Sequence, residues 1–210
     1  ADAASRLPPC TPATGMTKEQ QAVFDRIVED RGKTGAKAGF GVSYPDGSLA
    51  GPWNAWVTSP TIGTLAERMA HACRHHNTCP VDLYEVGILA VAAAWVSQFE
   101  WYAHEKLARK AGVSDEAMDA IKRQAPVNEA PGLTDAQRAV YAYARELHDT
   151  KRVSDATHQA ALAAVGSERA LIDLVLTMGL YNQVAMTLNA FNVPLPPGEK
   201  PPFKEPAAKL

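Results

Sequence analysis

Apolar residues along this chain recur mostly with helical spacing, and alternating strand patterns are scarce. Thr17-Lys18-Glu19-Gln20 reads as a capping box ahead of an amphipathic segment reaching about Arg31. Residues 32–58 are Gly-rich and irregular, with a plain turn signal at Tyr44-Pro45-Asp46-Gly47. Ser59-Pro60 sets a cap and an N1 proline at the head of a helix to about His76, and 77–80 breaks it. A long run over 81–111 is expected in two pieces, with a kink near 95–98 and Gly112 as the C′ residue. Further helices are predicted from Ser114 to about Gln124, and from the capping box Thr134-Asp135-Ala136-Gln137 to about Asp149. Ser154 caps one more, and Ser167 caps a last apolar helix to about Asn189. The Pro-rich stretch 193–202 cannot continue it. The pattern predicts an all-α domain over 17–192, about six to eight helices packed antiparallel. A flexible segment 1–16 would precede it, and a Pro-rich tail 193–210 would follow.

A chain of 210 residues can bury a real core as one domain. Its net charge of −2 and pI near 6.3 give no basic footprint for nucleic acid. The longest apolar run, 86–96, is too short to span a membrane. Neither partner is expected. Cys10, Cys73 and Cys79 cannot all pair, so no disulfide scaffold is indicated. The sequence opens at Ala1 without Met, as after a signal-peptide cut or a tag cut, which leaves the compartment open between cytoplasmic and exported. Lys209-Leu210 fits a vector remnant.

Candidate chemistry concentrates between Ser97 and Ala111. Glu100 and His104 stand one helical turn apart, about 6 Å at Cβ, at the end of a long apolar stretch. A carboxylate and an imidazole against an apolar wall make a candidate acid/base pair; in solvent they would be an ordinary ion pair worth a few tenths of a kcal/mol. Phe99, Trp101 and Tyr102 surround the pair and can hold a planar substrate. Glu85 falls on the side expected to be buried, although an acid in a first helical turn also suits the macrodipole.

His71, Cys73, His75, His76 and Cys79 form a second cluster. His71, His75 and Cys79 at i, i+4 and i+8 can bind Zn²⁺ from one helix face, but the spacing matches no standard finger and Pro80 unwinds the end. A Cys73–Cys79 disulfide is open to an exported protein. Buried thiols with surface histidines are the commoner outcome, and no metal is expected. Trp53, Asn54 and Trp56 suit a pocket mouth or the anchoring of an irregular loop. Asn182 and Asn189 share a face of the last helix and suit packing or subunit contacts.

Three blocks together resemble the carboxymuconolactone decarboxylase family, which also holds the AhpD-type alkylhydroperoxidases. They are Gly51-Pro52-Trp53-Asn54-Ala55-Trp56 with Ser59-Pro60; Leu83-Tyr84-Glu85 through Ala90-Val91-Ala92 and Phe99-Glu100-Trp101-Tyr102-Ala103-His104 to Ala111-Gly112-Val113; and Leu188-Asn189-Ala190-Phe191-Asn192-Val193-Pro194-Leu195-Pro196. The likeness spans about 50–197. In the peroxidase branch a glutamate precedes Cys-x-x-Cys-x-x-x-His by twelve residues; here Glu85 stands twelve before Ser97, and His104 closes the frame. Ser97 and Glu100 replace the two cysteines, which removes thiol-disulfide chemistry there.

The resemblance implies an AhpD-like fold, a homo-oligomer (trimer or hexamer) and a cofactor-independent lyase or isomerase. It would work by proton transfer through Glu85, Glu100 and His104 on a small oxygenated, aromatic-derived substrate. His76 falls where relatives carry arginine, and can supply a cation for a substrate carboxylate when protonated. With Trp53, Asn54, Phe99, Trp101 and Tyr102 it completes the expected substrate contacts. The alternatives are a peroxidase using Cys73 and Cys79, and an oligomeric binding protein without chemistry.

Overall fold

The computed structural model describes residues 5–38 and 41–204, with the side chains of 33–38 left aside. The expectations for 1–4 and 205–210 therefore lie outside the described residues. The helices are α1 (Lys18–Ala38), α2 (Trp53–Thr58), α3 (Pro60–His75), α4 (Val81–Trp95), α5 (Gln98–Ala111), α6 (Asp115–Lys122), α7 (Asp135–Thr150), α8 (Asp155–Val165) and α9 (Glu168–Ala190). Among the described residues there is no strand, only an isolated bridge between Ser43 and Leu49 around the turn at 44–47. The protein is all-α.

Caps explain most boundaries. Thr134 and Gln137 close a reciprocal capping box on α7, while Ser114, Ser154 and Ser167 each accept the N3 amide of their helix. Ser59 departs from expectation: its side chain makes no cap bond, because Ser59 also ends α2, its amide bonded to Ala55. The irregular reading of 32–58 misses α2 and the end of α1, which continues to Ala38 through Gly32 and Gly35. Weak helix formers there are overridden by packing, since α1 and α2 both dock on α3.

α4 is the hub. It is apolar almost all round, and every residue from Leu83 to Ala93 is buried. It packs against α5, α6, α7 and α9, and each large side chain so buried stabilises by about 1.5–3 kcal/mol. α9 is long and apolar enough to cross a membrane by length and composition, yet it lies along α4 as a core helix. Its outer face leaves Ile172, Leu176 and Met186 exposed.

The described segments at either end, from residue 5 and up to residue 204, contact the helical domain. In the N-terminal segment the Arg6 amide donates to the Phe191 carbonyl at 2.9 Å and Thr11 is buried. The tail returns over α5, with Gln98 exchanging two hydrogen bonds with the Phe203 backbone at 2.9 and 3.0 Å.

The α2–α3 corner depends on Gly63. A Cβ there would stand 1.9 Å from the Trp56 carbonyl oxygen, so backbone would have to move. Gly63→Ala is expected to destabilise by about 1–3 kcal/mol or more, read as a lower denaturation midpoint at unchanged m-value. An unshifted midpoint would contradict this close approach.

Candidate active site

The site begins at the elbow between α4 and α5. Val96 adopts φ 51°, uncommon for a β-branched residue, and ends α4 with its amide bonded to the Ala93 carbonyl at 3.2 Å. The Ser97 amide bonds Ala92 at 2.9 Å, and α5 departs in a new direction. This break turns Phe99, Glu100, Ala103, His104 and Leu107 onto one cavity. Leu180, Tyr181, Val184 and Leu188 of α9 form the facing wall. Trp53 and Trp56 of α2, Arg74 of α3 and Arg31 of α1 complete it. The cavity measures about 70 Å³, below the roughly 300–1,000 Å³ usual for ligand pockets, which limits any occupant to a very small molecule.

Glu85 lies behind His104. Its Oε2 stands 2.7 Å from His104 Nδ1, and the two side chains are 2% and 6% exposed. That distance is in the charge-assisted range. The Tyr181 ring meets the imidazole edge to face, centroids 4.5 Å apart. Burial pushes the Tyr181 phenol up to about 12, with the Arg74 charge opposing, so it remains a neutral donor. Burial acts to lower the Arg74 guanidinium, but the Tyr181, Glu85 and Tyr84 oxygens hold it above its ordinary value. Arg31 is buried, and its guanidinium is lowered by burial and by the Arg74 charge. Arg31 Nη2 and Arg74 Nε are buried with no hydrogen-bond partner among the described residues. Two guanidiniums so placed make the cavity receptive to an anion.

Glu100 differs from Glu85 in every respect but burial. Neither of its carboxyl oxygens has a hydrogen-bond partner among the described residues. Desolvation therefore raises it well above its ordinary 4.5, and a neutral acid faces the cavity. The i, i+4 spacing suggested Glu100 as the partner of His104, but the structure gives the imidazole to Glu85 across α4 and α5.

Of the substrate contacts expected from sequence, Trp53 and Phe99 line the cavity. Trp101 packs against Phe203, ring centroids 5.3 Å apart, with Lys122 over its face. The Tyr102 hydroxyl donates to Glu199 at 3.0 Å, and Lys106 covers the ring at 4.0 Å. Asn54 ties the N-terminal segment, accepting from the Cys10 amide and donating to the Pro8 carbonyl, each at 3.0 Å. His76 is exposed at the end of α3, and the cations at the cavity are Arg74 and Arg31 instead. A shift of two residues, about 200° around a helix, separates the exposed face from the buried one. Asn182 accepts from Trp95 Nε1 at 2.7 Å and Asn189 donates to the Trp95 carbonyl at 2.8 Å, a packing role at the elbow.

Arg31, Arg74 and Tyr181 escape the sequence reading. An arginine within an otherwise apolar helix face is a weak signal for Arg74. Nothing local marks Arg31 or Tyr181, which sit about 43 and 107 residues away along the chain and meet Arg74 only in the folded packing. The second cluster also rearranges. His71 and His75 meet Asp30 of α1, and Cys79 is buried at the head of α4. All three thiols are free. Desolvation raises Cys10 and Cys73, and Cys79 to about 12.

No family profile and no curated protein matches the chain. A solved structure does. An uncharacterised peroxidase-related protein from Ralstonia eutropha JMP134, described as an alkylhydroperoxidase AhpD core, superposes with a TM-score of 0.70 at 16% identity. The match covers 92% of this chain and 93% of the other. The arrangement of helices that brings Glu85, Glu100 and His104 together is therefore an AhpD-like fold.

Proposed function

We propose that the protein is a cofactor-independent lyase or isomerase that moves protons on a small carboxylated lactone or keto acid. The observation that carries this reading is Glu100: a wholly buried, unpartnered carboxyl on the same cavity as His104. Two titratable groups held in contrasting environments divide acid from base. Glu85 occupies His104 Nδ1, which leaves Nε2 for the substrate. Arg74 and Arg31 attract the substrate carboxylate, and the tryptophans and α9 side chains exclude water.

In an isomerisation, His104 Nε2 takes a proton beside the carbonyl while Glu100 donates to the carbonyl oxygen, giving an enol. Protonated His104 then delivers its proton to a different carbon while the enol proton returns to Glu100. In a decarboxylation, CO₂ leaves with its bonding electron pair left on the substrate. Glu100 protonates the resulting enolate oxygen, protonated His104 then delivers hydrogen to carbon, the enol proton returns to Glu100, and His104 recovers its proton from water. A thiol peroxidase is disfavoured by the thiols themselves: the reactive species is the thiolate, and burial raises all three.

The test is a panel of small lactone and keto acids in D₂O, followed by mass spectrometry for deuterium uptake and CO₂ release. Wild type is expected to exchange or decarboxylate at least one member. Arg74→Met should raise KM about tenfold or more with a smaller change in kcat. A chain inert to the panel that reduces peroxide through its cysteines would overturn the proposal.

A further inference from the structure

We propose that Asp30, His71 and His75 form a divalent transition-metal site on the α1–α3 face, with Zn²⁺ the fitting ion. His71 and His75 stand one turn apart on α3, and Asp30 comes from α1, which packs against it. Asp30 Oδ1 lies 3.2 Å from His71 Nδ1 and 3.3 Å from His75 Nε2, and the donor atoms of all three residues fall within 4.8 Å of one another. A tetrahedral Zn²⁺ with bonds near 2.0–2.2 Å sets its ligand atoms about 3.3 Å apart. Charge-assisted hydrogen bonds run about 2.7–2.9 Å, as the Glu85–His104 pair does. The Asp30–histidine spacings, long for a charge-assisted hydrogen bond, also match shared coordination to one ion.

The surroundings agree. Asp30 Oδ2 faces Arg31 Nε at 3.2 Å, which fixes the carboxylate with Oδ1 toward the imidazoles, the usual task of an outer partner. Glu67 precedes His71 by one turn and lines the same groove. Its Oε2 is buried without a hydrogen-bond partner among the described residues, 3.7 Å from Arg26 Nη1. We assign it to a water on the ion. His71 and His75 are 44% and 39% exposed, so the groove admits an ion from solvent. Three protein ligands with an open fourth position is the ligand count of a reactive site, not of a closed structural one. Arg26 and Arg68 also line the groove and temper its affinity for a cation.

The test is titration of the full chain with Zn²⁺ by calorimetry, beside the visible spectrum of the Co²⁺ complex. One ion per chain is expected. His71→Ala/His75→Ala should weaken binding by more than about 100-fold, beyond what loss of an outer partner does. Asp30→Asn should weaken it at least about tenfold, and answers the question if the alanine pair fails to fold. His76→Ala and Cys73→Ser/Cys79→Ser should bind as wild type, and the Co²⁺ spectrum should lack a thiolate charge-transfer band. Absence of stoichiometric binding at micromolar Zn²⁺, equal affinity in the Asp30→Asn variant, or loss of binding in the cysteine variant would each overturn the assignment.

Discussion

His104→Ala is expected to lose turnover and stability together. The His104 side chain is 6% exposed, and its Nδ1 is the hydrogen-bond partner of the Glu85 carboxylate, whose side chain is 2% exposed. Removing it leaves Glu85 buried beside a cavity, and breaking a buried pair from one side costs about 3–5 kcal/mol. For a chain of this size that corresponds to roughly 10 °C in melting temperature. The double variant Glu85→Leu/His104→Leu separates the two roles. Replacing a buried ionic pair by apolar side chains of similar volume is often neutral, so melting should largely recover. Turnover on the substrate found in the D₂O panel should not. Calorimetric melting beside kcat reads both quantities. If the double variant regains both, His104 is structural and the proton-transfer reading ends.

Glu100→Gln should do the reverse: lower kcat by about 10²- to 10⁴-fold while leaving the fold intact. The amide keeps the shape of the neutral acid but cannot deliver a proton. A pH series adds a second readout. Because burial raises the native Glu100 well above its ordinary 4.5, the native state keeps a proton that the unfolded chain has released. The stability linked to this group is complete below about 4.5 and declines as pH rises from there toward the native value. Urea midpoints of wild type should therefore fall more steeply than those of Glu100→Gln between mildly acidic and alkaline pH. Parallel curves would mean that Glu100 ionises normally in the folded chain and is no general acid.

Much of the helical architecture was legible from sequence because its signals are local. Capping residues, the apolar run of α4 and the Gly112 stop each act within a turn or two of chain. The break between α4 and α5 was legible as well, although its left-handed Val96 was not. The short helix α2 carried no periodic signal, because six residues complete fewer than two turns. In the site, spacing along α5 placed Glu100 and His104 on one face, and that face does line the cavity.

The sequence by itself determined most of the helices, where most of them begin and end, and that acids and an imidazole gather on α4 and α5. Tertiary structure decided their chemistry. Whether a carboxyl is desolvated alone or hydrogen-bonded depends on solvent exclusion and on neighbours from other helices: Glu85 finds His104 on α5, while Glu100 is desolvated without a hydrogen-bond partner among the described residues. The same holds for the cations, since Arg31 of α1 and Arg74 of α3 reach a cavity whose far wall is α9. It holds again for His71 and His75, whose third donor is Asp30 of α1 and not the cysteine eight residues further along the chain. Helix propensity acts over a few residues of chain; electrostatics and desolvation act through space, and only the packed helices fix those distances.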